Sequence, residues 1–226
     1  MTETSGIISI QTEGEVKIGS VGRAIPGTEL KITEDGEICV RGEQNISGYY
    51  KDEEASNELL KPDGEGGYWL HTGDVGHLDE DGFLFITDRM KDILITSGGK
   101  NVAPQNIENL LKTSPYVSQA LVYGDRKPYL TALITLDEDE INKFGRDRKI
   151  LYQDLGDLSR KPEVLDLMRS EVHKMNSELA SYETIKRFRI LEEDFDQDKD
   201  EITPTFKIRR KIIIKHYNNL IDEMYA

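Results

Sequence analysis

Paired cysteines, long apolar runs and an excess of positive charge are all missing from this sequence of 226 residues. Its one cysteine, Cys39, cannot form an internal disulfide, and we expect it to be a buried small hydrophobe in a strand rather than a nucleophile. No apolar stretch is long enough to cross a bilayer, and the first residues do not follow the pattern of a signal peptide. These absences predict a cytoplasmic protein in a reducing compartment.

The charge balance limits the class of partner. The chain carries 43 acidic and 29 basic side chains, which gives a formal net charge of -14. Because a nucleic-acid backbone would be repelled over most of such a surface, we expect no nucleic-acid partner. Hydrophobic residues make up 37% of the chain, which is enough for a buried core, and the length favours two smaller domains over one large one.

Short alternating segments in the first half predict antiparallel β structure. Residues 28–33 and 37–41 flank an acidic turn that ends in Gly36, and residues 68–78 and 83–87 flank a second turn of the same kind. Glycine adopts the positive φ that closes a hairpin, so each pair of segments is expected to form one.

The second half has the mixed pattern of an α+β domain. Pro104 and Pro162 are each expected to begin a helix, because proline suits the first helical turn and apolar residues recur behind it at helical spacing. Further elements are expected as paired strands at 118–123 and 130–136, a strand at 185–191 and a closing helix at 207–224.

The acidic run at residues 192–201 is predicted to be a solvated loop, because so many carboxylates repel one another and resist burial. The alternative is a metal site formed by the alternating residues Asp194, Asp196, Asp198 and Asp200. The glycine and the terminal glutamate of a calcium-binding loop are not in their places, which disfavours that alternative.

A candidate nucleotide site lies near the middle of the chain. Thr72, Gly73 and Asp74 form a glycine-framed loop, and Arg89 follows after the second predicted hairpin. A carboxylate there can accept hydrogen bonds from both hydroxyls of a ribose, and an arginine can hold the same sugar or a phosphate. The alternative is an ordinary turn in which the aspartate caps its own backbone.

Several dispersed motifs resemble, in order, the core motifs of the adenylate-forming enzymes, among them acyl-CoA synthetases, luciferases and adenylation domains of peptide synthetases. The matching segments are GEICVRGEQNISGYYKDEEAS, YWLHTGDVGHLDEDGFLFITDRMKDILITSGGKNVAPQNIE and TPTFKIRRK. Motifs in the right order over nearly the whole chain are far harder to match by chance than one short motif. The last segment is similar to the form found in bacterial-type long-chain fatty acid–CoA ligases.

The resemblance implies a fold of two parts. Residues 1–90 would be the C-terminal end of the large N-terminal domain, a small antiparallel β-barrel-like subdomain, and residues 91–226 would be a separate, mobile α+β lid domain. Met1, Thr2 and Glu3 match the second half of a core motif inside the N-terminal domain, so we expect a C-terminal piece of a longer enzyme. The glycine-rich loop that grips the triphosphate is absent from the sequence, which predicts inactivity of the piece alone.

Roles for single residues also follow from the resemblance. Asp74 and Arg89 would bind the ribose of ATP or AMP, Thr2 would contact the α-phosphate, and Glu3 would bind Mg²⁺. Lys91 would be the hinge residue between the two domains, although the same residue type is common on any surface.

Two further assignments fall in the lid domain. Gly98 and Gly99 would line the tunnel for the pantetheine arm of coenzyme A, whereas the alternative is a simple tight turn. Lys207 would enter the active site during adenylation and stabilise the negative charge that develops at the α-phosphate. The alternative is an ordinary basic residue in a segment rich in arginine and lysine, and the motif departs from the commoner Ser-Gly-Lys form.

The implied activity is that of an AMP-forming long-chain fatty acid–CoA ligase with fatty acid, ATP and coenzyme A as substrates. Two alternatives stay open: an acyl-AMP ligase or adenylation module that serves a carrier protein, and a non-catalytic interaction module. The resemblance is compatible with peripheral membrane association of the full-length enzyme and predicts no obligate protein partner.

Overall fold

The computed structural model describes residues 1–205 and 207–226. The chain divides into two compact units, Met1–Asp92 and Ile93–Ala226, so the division falls two residues from the predicted one. Among the described residues, none of the helices combines the length and the apolar character that a membrane span requires.

The first unit is built from short strands joined by tight turns. It begins with a 3-10 turn at Thr2–Thr4 and ends with another at Met90–Asp92. The strands and the one helix between them are β1 (Ser9–Ile10), β2 (Arg23–Ala24), β3 (Glu29–Ile32), β4 (Glu37–Arg41), α1 (Glu53–Leu59), β5 (Leu60–Pro62), β6 (Tyr68–Leu78) and β7 (Leu84–Arg89).

Strand β6 organises the main sheet of the first unit. It pairs antiparallel with β4 along one side, while β5 and β7 pair antiparallel with its two ends, and β3 joins the sheet through β4. The β3–β4 and β6–β7 hairpins are those expected from the acidic glycine turns. Gly36 and Gly82 both have the positive φ that these turns require.

The second unit contains a three-stranded sheet and most of the helices. Its elements are β8 (Leu94–Ile95), β9 (Asn101–Val102), α2 (Pro104–Leu111), β10 (Val117–Tyr123), β11 (Leu130–Leu136), α3 (Glu138–Asp147), α4 (Leu155–Ser159), α5 (Pro162–Asn176), β12 (Ile185–Ile190), α6 (Arg210–His216) and α7 (Asn218–Glu223). Strand β11 is central, antiparallel to β10 and parallel to β12. Helices α3 to α5 make the crossover that a parallel pair requires.

Both faces of this sheet are covered, because successive side chains of a strand point to opposite faces. Ile134 of β11 joins one apolar cluster with residues of α2 and α5, whereas Leu133 joins a second cluster with Ile213 and Ile221 of the last two helices. All seven residues of β11 are consequently buried.

One expectation for the second unit was wrong. The segment 207–224 is not one helix, because Ile208 pairs with Ile202 in an antiparallel bridge, α6 begins only at Arg210, and Tyr217 leaves the helical conformation between α6 and α7. The acidic run is a loop that is exposed for most of its length, as expected, although Glu201 at its end is only 1% exposed and accepts a hydrogen bond from His216 Nδ1 at 2.9 Å.

Candidate functional site

Asp74 and Arg89 lie directly opposite each other on β6 and β7. Arg89 Nε donates a hydrogen bond to Asp74 Oδ1 at 3.0 Å, and the two side chains are 65% and 28% exposed respectively. A carboxylate offers about four lone-pair sites on its two oxygens, so Asp74 keeps acceptor capacity beside this one bond. The structure therefore brings the two predicted ribose-binding residues together in an accessible pair.

The loop that carries Asp74 is held by its neighbours. Gly73 has φ +70°, a conformation that favours glycine. Thr72 Oγ1 donates to the carbonyl oxygen of Ile38 at 2.7 Å and accepts from the amide of Asp74 at 3.1 Å. Glu37 accepts from the amide of Gly73 at 2.9 Å.

Sequence reasoning missed Glu37 and its partner His71. The ring Nδ1 of His71 lies 2.6 Å from the second carboxylate oxygen of Glu37, so the carboxylate bridges His71 and Gly73. Cys39 is buried as expected and lies close to both, with the three potential ligand atoms within 4.8 Å of one another. Burial raises the pKa of Cys39 to about 11, and both oxygens of Glu37 are engaged, so this cluster supports the loop and is a poor metal site.

Thr2 and Glu3 belong to the first 3-10 turn, which is tied to a later loop. The amide of Ile46 donates to the carbonyl oxygen of Glu3 at 2.8 Å, and Tyr49 Oη donates to Glu3 Oε1 at 3.0 Å. The hydrogen bond to Glu3 raises the pKa of Tyr49. A partly exposed carboxylate with one oxygen engaged fits a Mg²⁺ ion that is held mainly through phosphate oxygens.

Lys91, Gly98 and Gly99 are all exposed. Lys91 lies in the 3-10 turn that closes the first unit. The two glycines lie in the turn between β8 and β9, where the amide of Gly99 donates to the carbonyl oxygen of Thr96 at 2.9 Å. An added Cβ at Gly99 would meet nothing within 4 Å, but its φ of +73° favours glycine, so the turn itself explains that residue.

Lys207 lies beside the antiparallel bridge between Ile202 and Ile208, and we call Ile202, Thr203, Lys207 and Ile208 the Lys207 hairpin. The amide of Thr203 donates to the carbonyl oxygen of Lys207 at 2.8 Å, and Thr203 Oγ1 accepts from the amide of Lys207 at 3.1 Å. The motif that singled out Lys207 includes Phe206, which lies outside the described residues. The roles of Lys207, Lys91, the two glycines, Thr2, Glu3, Asp74 and Arg89 stay predictions.

Comparison with known families gives the class of protein. The model described as "AMP-binding enzyme C-terminal domain" matches residues 91–226, and the model described as "AMP-binding enzyme" matches residues 1–50. The chain belongs to the AMP-binding enzyme family, which confirms the predicted resemblance.

Comparison with an individual relative shows which kind of enzyme in the family this chain resembles. Over 226 residues the chain is 42% identical to long-chain-fatty-acid–CoA ligase FadD15 of Mycobacterium bovis, a match that covers 100% of this chain and 37% of that protein. The chain therefore spans little more than a third of the relative's length.

Solved structures share the fold. O-succinylbenzoate coenzyme A synthetase of Bacillus subtilis, in complex with its acyl-adenylate intermediate, matches with a TM-score of 0.68 and 26% identity over 93% of this chain and 39% of that chain. The same enzyme in complex with ATP and magnesium ion matches with a TM-score of 0.61 at the same identity and coverage. The predicted α+β fold is confirmed.

Proposed function

We propose that this chain is the C-terminal part of an AMP-forming ligase that joins long-chain fatty acids to coenzyme A in the cytoplasm. The observation that carries the nucleotide part of the proposal is the accessible Asp74–Arg89 pair on a loop fixed by Gly73. The Mycobacterium bovis relative, a long-chain-fatty-acid–CoA ligase, supports the substrate class, and the synthetase complexes with ATP, magnesium and an acyl-adenylate support these ligands.

The reaction has two steps. An oxygen of the fatty carboxylate attacks the α-phosphorus of ATP, which forms an acyl-adenylate and releases pyrophosphate. The thiolate of coenzyme A then attacks the acyl carbonyl carbon, which forms the thioester and releases AMP. The mixed anhydride supplies a good leaving group and divides one unfavourable condensation into two accessible steps.

Each residue has a defined part in this proposal. Asp74 accepts hydrogen bonds from the ribose hydroxyls, Arg89 donates to the same sugar, and Thr2 donates to the α-phosphate. Lys207 places its ammonium near the phosphate oxygens where negative charge develops. Magnesium, when bound, neutralises phosphate charge, and Glu3 would be its protein ligand.

The glycine turn and the hinge belong to the second step. Gly98 and Gly99 let the pantetheine arm approach the backbone closely, since neither has a side chain. Lys91 permits the lid to rotate between the two steps, because a charged side chain at a junction stays hydrated in either orientation.

Titration calorimetry tests the nucleotide site. ATP, AMP and coenzyme A would be titrated into this chain and into a version extended upstream through a triphosphate-binding loop. We expect weak or undetectable binding to the short chain and thioester formation only by the extended protein. Robust ligase turnover by the short chain would refute this division. Transfer of the acyl group to a carrier protein, but not to coenzyme A, would favour the acyl-AMP ligase alternative.

A further inference from the structure

A buried ion pair joins two distant segments of the second unit. Nη2 of Arg210, the first residue of α6, lies 2.8 Å from Oε1 and 2.9 Å from Oε2 of Glu108 on α2. The two side chains are 14% and 5% exposed. An arginine and a carboxylate this far from water make a charge-assisted contact that is much more rigid than a surface pair.

Both members of the pair also bind the backbone of Val122 on β10. The amide of Val122 donates to Glu108 Oε1 at 2.7 Å, and Arg210 Nη1 donates to the carbonyl oxygen of Val122 at 2.9 Å. The start of α6 is thereby fixed to the sheet and to α2 at the same point. We call this arrangement the Glu108–Arg210 bridge.

The bridge lies immediately after the Lys207 hairpin. Arg210 follows Lys207 by three residues, and the amide of Arg209 donates to the carbonyl oxygen of the buried Glu201 at 2.7 Å. Within the described residues, the ammonium of Lys207 has no ion-pair partner, and its side chain is exposed. The position of Lys207 therefore depends on how the ends of the hairpin are fixed.

We propose that Glu108 and Arg210 are positioning residues that hold the Lys207 hairpin in the conformation required for adenylation. This inference rests on the proposed function of Lys207 and adds to it the two residues through which the fold fixes that lysine. An arginine is needed because its planar fork contacts a carboxylate and a carbonyl at once, whereas a lysine is a point charge. Fixing the hairpin in advance removes an ordering cost from the first step.

Hydrogen exchange on this chain is the first test. In Arg210→Lys, we expect the amides of Thr203, Lys207 and Arg209 to exchange at least tenfold faster, while the amide of Leu133 in the central strand changes by less than twofold. The matched control is Arg209→Lys, because the neighbouring arginine forms an exposed ion pair with Asp200 and should leave all four rates unchanged. Unchanged hairpin rates in Arg210→Lys would overturn the proposal.

A second variant keeps this test informative should Arg210→Lys destabilise the whole unit. Glu108→Gln preserves the shape and an acceptor for the amide of Val122 but removes the charge. We expect exchange at the same hairpin amides to accelerate at least tenfold more than exchange at Leu133, because loss of the carboxylate weakens the unit but frees the hairpin first. An effect spread evenly over the unit in both variants would show a general structural role and would contradict the inference.

Half-reactions of the upstream-extended enzyme separate positioning from general damage. For Arg210→Lys we expect at least a tenfold loss in ATP–pyrophosphate exchange, and less than a twofold change in thioester formation from preformed acyl-adenylate. Equal losses in both half-reactions would overturn the inference.

Lys207→Ala is the reference in the same assay, and it separates the two hypotheses. If it leaves the exchange reaction intact, the proposed role of Lys207 fails and the inference fails with it. If it abolishes exchange while Arg210→Lys and Glu108→Gln do not alter the rate, only the inference fails.

Discussion

The Asp74–Arg89 pair of the first unit and the Glu108–Arg210 pair of the second have the same chemistry in opposite surroundings. The first pair is 28% and 65% exposed and sits on a hairpin, whereas the second is 5% and 14% exposed and links two helices to a sheet. Rearranging an exposed pair around a ligand changes the free energy little, whereas breaking a buried pair destabilises the fold strongly. The difference separates a contact suited to binding from one suited to holding a fold.

The two units that contain these pairs also differ in net charge and in the size of their apolar cores. Residues 1–92 carry 20 acidic and 8 basic side chains, a formal net charge of -12, whereas residues 93–226 carry 23 and 21, a net charge of -2. Among the described residues, 6 buried apolar side chains lie in the first unit and 26 in the second. Self-repulsion and a small core both predict that the first unit is the less stable one.

The largest effect that we expect is in the buried pair. Arg210→Ala should lower the free energy of unfolding of the second unit by about 3–5 kcal/mol, because Glu108 would remain buried without this partner. The urea dependence of hydrogen exchange at the Leu133 amide measures the free energy of unfolding of this unit. A loss below about 1 kcal/mol would remove the contrast between the two pairs.

The thiol of Cys39 predicts a smaller, pH-dependent effect in the first unit. Burial raises its pKa from 9.0 to about 11, so the folded state keeps a proton that the unfolded state loses. The stabilisation is complete below pH 9 and is lost as the pH rises to about 11, with a total on the order of 2 kcal/mol.

Cys39→Ala isolates this contribution from other groups that titrate in alkali. Trp69 is the single tryptophan and lies in β6, so its fluorescence during urea unfolding reports on the first unit. The difference in stability between wild type and variant should shrink between pH 9 and 11. A difference that stays constant over this range would show that the thiol does not titrate as expected.

Arg89→Ala should change stability by less than about 1 kcal/mol, since the pair is exposed and screened by water. The same substitution should weaken nucleotide binding by the upstream-extended enzyme by roughly tenfold or more, because a hydrogen bond to a charged donor is lost. Calorimetry with AMP measures the affinity, and Trp69 fluorescence during urea unfolding measures the stability.

Arg23→Ala is a matched control, because Arg23 forms another exposed pair in this unit, with Glu15. A large stability loss in Arg89→Ala with unchanged affinity would reverse the interpretation.

The smallest effects are expected from two acidic side chains, one in each unit. Hydrogen bonds from Lys17 lower the pKa of Asp79, and those from Lys161 lower the pKa of Asp157. A lowered pKa stabilises the fold above the unfolded value of about 3.9 and is lost as the pH falls through the folded value. Asp79→Asn and Asp157→Asn should each flatten the acid limb of the stability profile of their own unit. A limb that is equally steep in the variants would contradict this.

Much of the fold was predictable because local rules and the final structure agree. Proline begins α2 and α5 at the expected residues, and acidic glycine turns close the two hairpins of the first unit. Asp74 and Arg89 were predicted to share a site, and the register of β6 and β7 makes them neighbours. These features depend on contacts within about twenty residues.

The features that sequence reasoning missed depend on distant contacts. The helix predicted at 207–224 has its first residues in a hairpin, since the amide of Arg209 bonds to the carbonyl oxygen of Glu201. The apolar pattern behind Pro104 gives no sign that Glu108 is buried, and its ion pair with the distant Arg210 explains that burial. Glu37 and His71 come together through strand pairing.

The Glu108–Arg210 bridge joins residues 102 positions apart, so it closes a very long loop. Contacts between residues so far apart in the chain form slowly, because closing the long loop lowers the conformational entropy before the contact can stabilise the fold. During refolding, the helical circular dichroism should therefore recover before the Glu108–Arg210 bridge forms and fixes the Lys207 hairpin. During that interval the circular dichroism of the refolding chain would match that of the folded protein, although the Lys207 hairpin would not yet be fixed.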